Sequence, residues 1–267
     1  MRVGLIGVGL MGHGIGKNIL AKGFSLAVMA HKNRAPVDNL ISMGAMECAS
    51  PAEIAKGSDL VILCVTGTPE VEATIYGQKG IAEAFRDGLI IADCSTAEPT
   101  STIKIAADLK AKGVHFVDTP MTRTPKDAEA GKLGLMIAGS KDILAKIRPV
   151  LDCFADTIVF AGEAGAAHQL KLLNNFLSIA HAAIASEAIT VAAKAGVDMV
   201  AFRDIVMAGG AASTMFGRLI NVPLSDDDSH AQFAIRNARK DLRYYTNMTE
   251  QLPVTSYLAE TVHQTLV

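Results

Sequence analysis

The chain has no tryptophan, and aromatic residues make up only 5% of its 267 residues. Its formal net charge is −2, so it lacks the basic field that binds nucleic acid and the polybasic surface that binds lipid. The four cysteines are widely separated and form no C-x-x-C pair, and glycine recurs too often in the first residues for a signal-peptide core. We therefore expect a soluble cytoplasmic protein in a reducing compartment, with no nucleic-acid or membrane partner.

The sequence also lacks a recognisable metal site. His13, His168 and His181 share no metal-ligand spacing with one another or with a carboxylate pair. The three aspartates at 226–228 lack the alternating ligand spacing of a calcium loop, and we interpret them as a solvated loop that caps the next helix. We predict no metal cofactor.

The longest stretch without glycine or proline runs from residue 166 to residue 195. It is rich in alanine and leucine, follows Gly165 and precedes Gly196, which predicts one long helix. Polar residues interrupt it, which argues against a membrane span. Its apolar residues occur nearly all round the helix, so we expect it to be buried. These residues include Leu170, Leu173, Leu177, Ile184 and Val191.

One face of this predicted helix is polar. Lys171, Asn174, Asn175 and Ser178 follow the spacing that places side chains on one side of a helix. A buried ammonium or carboxamide without partners is unfavourable, so this face requires polar partners or a wet cleft. We therefore place the chemistry of the protein on this face.

Before residue 162, short apolar runs alternate with amphipathic segments, the pattern of βαβ units. The predicted strands are 2–6, 25–30, 60–65, 89–92, 114–117, 133–138 and 157–160. The predicted helices among them are 11–20, 70–75, 99–112 and 142–151. Beyond the long helix we predict helices at 199–207, with Asp198 as N-cap, near 232–250 and near 255–265. The predicted fold class is α/β: a Rossmann-type, doubly wound parallel sheet in residues 1–162, and an all-α C-terminal domain in residues 163–267 that begins with the interdomain helix.

The first predicted strand runs into a G-x-G-x-x-G turn followed by a helix. Gly7 permits the tight turn, Gly9 lets the backbone approach a pyrophosphate, and Gly12 allows close packing of helix on strand. The helix N-terminus adds a partial positive charge. We predict dinucleotide binding here, with Leu10 and Met11 included, against the alternative of a structural glycine turn.

The segment after the second predicted strand lacks the acidic residue that binds the ribose 2′-hydroxyl of NAD. It instead carries His31, Lys32, Asn33 and Arg34, which suit a 2′-phosphate. We therefore predict that NADP(H) is favoured over NAD(H); in the alternative interpretation these are ordinary solvated turn residues. We also predict cofactor contacts from the segment at 64–66. Its residues are Cys64, Val65 and Thr66.

Four further segments carry a resemblance to one family. Residues 93–99 follow the pattern D-x-S-T-x-x-P, and D-T-P at 118–120 leads to Ala128, Gly131 and Leu133. Lys171-x-x-Asn174-Asn175 lies in the long helix, and Phe233 precedes Lys240-Asp241-Leu242. In this order, and with the glycine turn, they resemble the β-hydroxyacid dehydrogenases, which include 3-hydroxyisobutyrate dehydrogenase, tartronate semialdehyde reductase and sulfolactaldehyde reductase.

The resemblance implies an NAD(P)-dependent oxidoreductase that acts on CH–OH groups, with Lys171 as general acid/base. Asn175, one turn on, would hold the lysine or the substrate hydroxyl in register. Ser95, Thr96, Asn174 and Ser178 would contact the substrate. The implied cofactor contacts include Thr96, Phe233 and Lys240. Substrate and cofactor would meet at the carboxyl edge of the sheet.

One segment departs from the family pattern. Most members carry Ser-Gly-Gly after Asp-x-Pro, whereas this chain has Met121-Thr122-Arg123. Arginine binds oxyanions through several donors, so we predict that Arg123, with Thr122, binds the acidic end of the substrate. This pattern resembles sulfolactaldehyde reductase within the family. The alternative is a salt bridge between Arg123 and a loop carboxylate.

These observations predict an enzyme that transfers hydride between NADP(H) and a small anionic hydroxyacid or aldehyde, with substrates of the sulfolactaldehyde or succinic semialdehyde type favoured. The alternatives are 3-hydroxyisobutyrate dehydrogenase or tartronate semialdehyde reductase activity proper, or a non-catalytic NADP(H)-sensing protein. Apolar residues in the last hundred positions suggest self-association as a homodimer or homotetramer.

Overall fold

The N-terminal part of the chain folds around one nine-stranded sheet in the computed structural model, which describes residues 1–225 and 233–267. Its strands are β1 (Val3–Ile6), β2 (Leu26–Val28), β3 (Met46–Glu47), β4 (Leu60–Leu63), β5 (Ile90–Asp93), β6 (His115–Asp118), β7 (Met121–Thr122), β8 (Leu133–Ala138) and β9 (Ala155–Gly162). Their order is β3-β2-β1-β4-β5-β6-β8-β7, and β9 pairs with β8. The strands from β3 to β6 are parallel, whereas β8 is antiparallel to β6 and β7. The order reverses between β1 and β4, which is the place where doubly wound folds bind ligands.

Helices cover this sheet. They are α1 (Leu10–Ala21), α2 (Ala35–Ser42), α3 (Pro51–Gly57), α4 (Thr68–Tyr76), α5 (Pro99–Lys110), α6 (Pro125–Glu129) and α7 (Lys141–Leu151), with a 3₁₀ turn at Ile81–Ala84. Successive strand residues enter different hydrophobic clusters: Ile62 packs with Leu5 and Ile15, whereas Val61 packs with Ile54 and Ile91. Both faces of the sheet are therefore buried, which explains the continuous apolar strand sequences.

The C-terminal part of the described chain is helical. Its helices are α8 (Ala166–Lys194), α9 (Met199–Met207), α10 (Thr214–Leu219), α11 (Asn221–Ser225), α12 (Ile235–Gln251) and α13 (Tyr257–Gln264). The chain divides into two compact units, Met1–Lys171 and Leu172–Val267, and this division falls inside α8. Within the second unit, Ile179 packs with Leu242 and Val262, and a separate cluster contains Ile189 and Phe216.

The predicted fold class is confirmed: a parallel-dominated Rossmann-type sheet with helices, a 29-residue α8 and a helical C-terminal region. Asp198 caps α9 as predicted, because its carboxylate accepts the N–H of Ala201 at 2.8 Å. The sequence analysis missed β3 and β7, which have two residues each, and the helices α2, α3, α6, α10 and α11. The predicted loop at 226–228 lies outside the described residues.

The prediction that α8 is buried nearly all round is wrong. Leu177, Ile184 and Val191 expose 57%, 64% and 61% of their surface, whereas Leu172 and Ile179 on the opposite side are buried. Only one side of the helix has helices to pack against in its own unit, which leaves the other apolar side in solvent. Among the described residues, α8 is also the one helix long and apolar enough by length and composition to cross a membrane. Lys171, Glu187 and Lys194 interrupt its apolar sequence.

Candidate active site

The turn between β1 and α1 has the shape that its three glycines predict. Gly7 has φ of +102°, and a Cβ atom there would collide with the backbone carbonyl of Cys64. A Cβ at Gly12 would collide with the carbonyl of Gly7, whereas one at Gly9 would meet open space. Gly9 is the N-cap of α1, and no side chain caps this helix. The first-turn N–H groups of α1 can therefore receive a phosphate, so the residues fit a dinucleotide.

The four residues predicted to bind a 2′-phosphate are exposed after β2, but they are not equivalent. Arg34 forms two hydrogen bonds with Glu47 at 2.9 and 2.8 Å and an ion pair with Asp38 at 3.0 Å. Asn33 accepts the N–H of Ala35 and shapes the start of α2. A phosphate would have to compete with Glu47 for Arg34, a competitor that the linear sequence does not reveal.

The loops after β4 and β5 are bonded together at the carboxyl edge of the sheet. The Val65 N–H donates to the hydroxyl of Ser95 at 3.0 Å, and the Ser95 N–H donates to Asp93 at 2.9 Å. Ser95 is 3% exposed, and Thr96 beside it is half-buried. Burial raises the pKa of the Asp93 carboxyl, and the nearby His168 opposes that shift. Burial also raises the pKa of the Cys64 thiol to about 12, so this thiol stays neutral.

The aspartate of the D-T-P segment holds the start of α8. Asp118 is fully buried at the end of β6 and accepts three backbone N–H groups, those of Gly165, Ala167 and His168, at 2.9 to 3.0 Å. These are the N–H groups that a helix leaves unsatisfied at its N-terminus, and a carboxylate also complements the helix dipole. These contacts of Asp118 fix the start of the helix that carries Lys171.

Lys171 lies one turn into α8, within the N-terminal unit. Its ammonium donates to the carbonyl of Met121 at 2.5 Å, and Met121 begins β7, directly after the D-T-P segment. Lys171 is half-buried. The predicted base is thus held beside the loop that follows β6, at the same edge of the parallel strands as the glycine turn and Ser95.

Thr122 and Arg123 point toward β8 and β9. The Thr122 hydroxyl lies 3.4 Å from the carbonyl of Gly134. The Arg123 guanidinium binds the carbonyl of Lys132, the carboxylate of Asp156 at 2.8 Å and the hydroxyl of Thr157 at 3.0 Å. Its hydrogen bond holds the pKa of Asp156 below the usual range. These contacts match the alternative interpretation of Arg123, a salt bridge with a loop carboxylate.

The backbone of Arg123 explains its place in the family pattern. Its φ of +80° lies in the left-handed region that glycine favours. The chain therefore has a glycine-like backbone at the position of the second glycine in the Ser-Gly-Gly pattern. The chemistry of the Arg123 guanidinium gives no reason to expect this left-handed φ.

The second unit brings together a further set of predicted residues. Asn175 is 8% exposed, and its Nδ2 donates to Asp241 at 2.6 Å. The Asn174 amide donates to Asn175 at 3.2 Å, and Lys240 forms an ion pair with Asp241 at 2.9 Å. The nearly buried Asp241 joins Asn175 to Lys240, a role that the sequence analysis did not assign. Ser178 is half-buried on α8, and Phe233 is 54% exposed.

In the N-terminal unit, the glycine turn offers backbone N–H groups to a phosphate and Lys171 offers an ammonium. In the C-terminal unit, Asn174 and Asn175 carry the carboxamides. No group of three or more His, Cys, Asp or Glu side chains suited to a metal occurs within residues 1–225 and 233–267.

Comparison with known proteins shows which families this chain resembles. Residues 2–162 match a family model described as the NAD binding domain of 6-phosphogluconate dehydrogenase. Residues 165–267 match one described as the NAD-binding domain of NADP-dependent 3-hydroxyisobutyrate dehydrogenase. The chain is 32% identical to 3-sulfolactaldehyde reductase of Escherichia coli (strain K12) over 257 residues, covering 94% of this chain and 84% of that protein. It is 30% identical to 2-(hydroxymethyl)glutarate dehydrogenase of Eubacterium barkeri, covering 91% and 80%.

Solved structures agree with the sequence relatives. The crystal structure of 3-hydroxyisobutyrate dehydrogenase from Salmonella typhimurium superposes with a TM-score of 0.87 at 28% identity, covering 100% of this chain and 93% of that one. The sheet, the glycine turn and the lysine-bearing helix thus define an NAD(P)-dependent oxidoreductase. Since both family models match and the segment order agrees, the chain belongs to the β-hydroxyacid dehydrogenase family.

Proposed function

We propose that this protein reduces a short aldehyde with a terminal anion, of the sulfolactaldehyde or succinic semialdehyde type, to the hydroxyacid with NADPH. The observation that carries the proposal is the ammonium of Lys171, half-buried at the carboxyl edge of the sheet and 2.5 Å from the carbonyl of Met121. The relative named 3-sulfolactaldehyde reductase supports an anionic substrate. The reverse oxidation uses the same groups.

Each residue has a definite task in this proposal. When bound, the cofactor supplies the hydride that the carbonyl carbon accepts. Lys171 donates the proton that the substrate oxygen gains, and the Met121 carbonyl orients the ammonium. Asn175, one helical turn on, holds the substrate oxygen, and its bond to Asp241 fixes its amide orientation. Ser95 and Thr96 receive the anionic end.

We propose a preference for NADP(H) over NAD(H). The absence of an acid between residues 29 and 34 and the cationic side chains there support it. The test is the ratio of dissociation constants for NADPH and NADH. Glu47→Gln provides an internal check, because freeing Arg34 from its carboxylate partner should tighten NADPH binding and leave NADH binding unchanged. Tighter binding of NADH by the unaltered protein would overturn the preference.

NADPH oxidation at about 340 nm in the presence of a small aldehyde panel tests the activity. The panel comprises sulfolactaldehyde, succinic semialdehyde, tartronate semialdehyde, methylmalonate semialdehyde and glyoxylate. We expect the first two to give the highest kcat/KM. Preference for tartronate or methylmalonate semialdehyde would favour the other activities of the family. Inactivity on all five, with intact NADPH binding, would favour an NADP(H)-sensing protein.

Substitution of Arg123 distinguishes two versions of the substrate site, one in which its guanidinium binds the substrate anion and one in which it does not. If the guanidinium leaves Asp156 to bind the anion, Arg123→Gln should raise KM at least about tenfold. If Arg123 serves only the pair with Asp156, KM should stay within about twofold, since exposed ion pairs contribute little. Asp156→Asn is the matched variant: it breaks the same ion pair but leaves the guanidinium available.

We also propose that the protein is cytoplasmic and assembles as a homodimer or homotetramer. The four cysteines have free thiols, which suits a reducing compartment. The exposed apolar side of α8 supports self-association.

A further inference from the structure

A fully buried histidine at the start of α8 remains outside the roles assigned above. His168 is 0% exposed and lies one turn before Lys171 on the same helix. Its Nε2 lies 3.1 Å from the backbone carbonyl of Ser95, and its Nδ1 lies 2.7 Å from the hydroxyl of Thr102 on α5. Two buried carboxylates are close by: Asp93 at 3.9 Å and Asp118 at 4.0 Å.

The hydrogen bond to Ser95 does not depend on the charge of the ring. A carbonyl oxygen can only accept, so Nε2 must carry a hydrogen. In the neutral ring, Nδ1 then accepts from the Thr102 hydroxyl. In the charged ring, Nδ1 donates to Thr102, whose hydroxyl turns to the carbonyl of Glu98 at 3.2 Å. His168 donates to Ser95 in both states.

This bond sets the orientation of the peptide that joins Ser95 to Thr96. A trans peptide is planar, and its C=O and N–H point in opposite directions. Holding the Ser95 carbonyl toward His168 therefore directs the Thr96 N–H away from it. Asp93 accepts the Ser95 N–H, and the Ser95 hydroxyl accepts the Val65 N–H, so hydrogen bonds hold Ser95 on both sides of its Cα atom.

We propose that His168 is a positioning residue for the reaction, which ties the Ser95–Thr96 peptide to the helix that carries Lys171. The inference rests on the proposed function. Under it, Ser95 and Thr96 hold the substrate anion and Lys171 transfers the proton. The distance from Ser95 and Thr96 to Lys171 therefore decides whether the aldehyde carbonyl of the substrate reaches the ammonium. The His168 side chain contacts the Ser95 carbonyl and lies within one helical turn of Lys171. A displacement of about 1 Å in such an arrangement can lower the rate by about 10²-fold.

Two variants of similar size separate the hydrogen bonds from packing. In His168→Gln the carboxamide can donate to Ser95 and accept from Thr102, whereas His168→Leu fills the same space without either bond. We expect His168→Leu to lower kcat/KM by about 10- to 100-fold, through both kcat and the KM for the aldehyde. His168→Gln should stay within about fivefold of the wild type. In both variants the Kd for NADPH should change by a smaller factor than kcat/KM, because the glycine turn is untouched. His181→Leu, at an exposed position of α8, is the control and should match the wild type.

Amide hydrogen exchange gives a readout that does not require turnover. The Thr96 amide should exchange faster in His168→Leu than in the wild type and return toward the wild-type rate in His168→Gln. Equal activity of both variants and the wild type would overturn the proposal. Equal loss in both variants, with a matching fall in melting temperature, would mean that His168 serves packing alone. If the wild type reduces no aldehyde, the proposed function fails, and an unchanged Thr96 exchange rate in His168→Leu would then overturn the positioning role as well.

Discussion

A lysine ammonium on a half-buried helix face requires an acceptor, and Lys171 has one in the carbonyl of Met121. That carbonyl fixes where the ammonium points without neutralising its charge. The contact therefore positions an amine that, in the proposed reaction, must give and take a proton.

Replacement of this amine tests its chemical role. Lys171→Ala should lower kcat/KM by about 10²- to 10⁴-fold, the usual contribution of general acid/base catalysis, and leave the Kd for NADPH nearly unchanged. Lys171→Arg should be nearly as inactive, because a guanidinium keeps its proton. Steady-state kinetics and cofactor titration provide the two measurements. Lys194→Ala, at the far end of α8, is the control; near-normal turnover of Lys171→Ala would remove the lysine from the mechanism.

A second residue-scale feature is the set of contacts made by His13 on α1, the helix that follows the glycine turn. His13 Nδ1 lies 2.5 Å from Glu129, and its Nε2 lies 2.8 Å from the amide oxygen of Asn39. Burial lowers the pKa of His13, but the hydrogen bonds to Glu129 and Asn39 and the charge of Glu129 outweigh burial, so the pKa is raised above its ordinary value. Both ring nitrogens face oxygen acceptors, the arrangement that suits an imidazolium.

The sign of the pH dependence follows from this raised pKa. The folded state binds the proton more tightly than the unfolded state, so the stabilisation is complete below the unfolded pKa of about 6.5 and is lost as the pH rises through the folded value. The free energy of unfolding of the wild type should exceed that of His13→Gln by up to about 1 kcal/mol at low pH, and the difference should shrink at alkaline pH. Urea unfolding across this range measures it. In a Glu129→Gln background the trend should disappear, and a difference that grows with pH would contradict the assignment.

At the residue scale, the sequence predicted which side chains are polar and close in space, but not their partners. The glycine turn followed from local steric needs, which depend on neighbouring residues alone. The partners of Arg34 and Arg123, Glu47 and Asp156, lie 13 and 33 residues away in the sequence. Sequence distance conceals such pairs until the strands are placed side by side.

At the element scale, α1 packs unusually close to α6. A Cβ atom at Gly14 would lie 2.5 Å from the carbonyl carbon of Ala128, 2.6 Å from the nitrogen of Glu129 and 2.7 Å from the oxygen of Ala128. All three are backbone atoms, so no side-chain rotation can make room. The same contact brings Asn18 to the carbonyl of Ala128, where its amide donates at 2.9 Å.

This close packing reverses the usual effect of a substitution. Glycine within a helix is about 1 kcal/mol less favourable than alanine, so propensity alone predicts that Gly14→Ala stabilises the protein. We expect it instead to lower the free energy of unfolding by about 1 to 3 kcal/mol, because α6 must move. Gly57→Ala, at the end of α3 where a Cβ meets open space, should change stability by less than about 0.5 kcal/mol. Urea unfolding followed by far-UV circular dichroism compares them, and a stabilised Gly14→Ala would contradict the expectation.

The elements that could be predicted are those with a strong periodic signal. Strand β8 matches its predicted bounds, and α8 differs from its prediction by one residue at its end. Strands β3 and β7 are too short to show alternation, and they exist because a neighbouring strand offers them hydrogen bonds. Shortness also explains why α6 was not predicted, because five residues give no helical period. Its capping box at Thr124 and Asp127 and the proline at its first position, Pro125, are the local signals that could have found it.

At the scale of the whole molecule, exposure is the property that the sequence predicted least well. A helix that is apolar nearly all round was expected to be covered by its own chain. In the C-terminal unit, one side of α8 packs against α12 and α13 residues, while the other side carries Ile184 and Val191 in solvent. Apolarity of a sequence reports that a face avoids water, but it does not say whether the same chain or another copy covers it.

The exposed side of α8 borders a groove of about 530 Å³ that is lined by apolar residues and by Glu187. Its lining includes Ile184, Val191, Ala195, Val197 and Phe202. Ile205, on α9 of the same unit, is 71% exposed. A contiguous apolar surface of this kind is unfavourable in a monomer and is typical of an interface between identical subunits. A charge placed at its centre should therefore act on assembly rather than on the fold.

We expect the unaltered protein to sediment as a dimer or tetramer at micromolar concentration. Ile184→Glu combined with Val191→Glu should shift it to monomer, since burying an unpaired carboxylate in an interface is strongly unfavourable. Both positions are exposed in the single chain, so its circular dichroism spectrum should be unchanged. Met46→Glu, an exposed apolar position on β3 of the N-terminal unit, is the matched control and should keep the wild-type mass. Sedimentation equilibrium decides the matter: a wild type that remains monomeric, or a double variant that assembles normally, would show that this face of α8 does not join subunits.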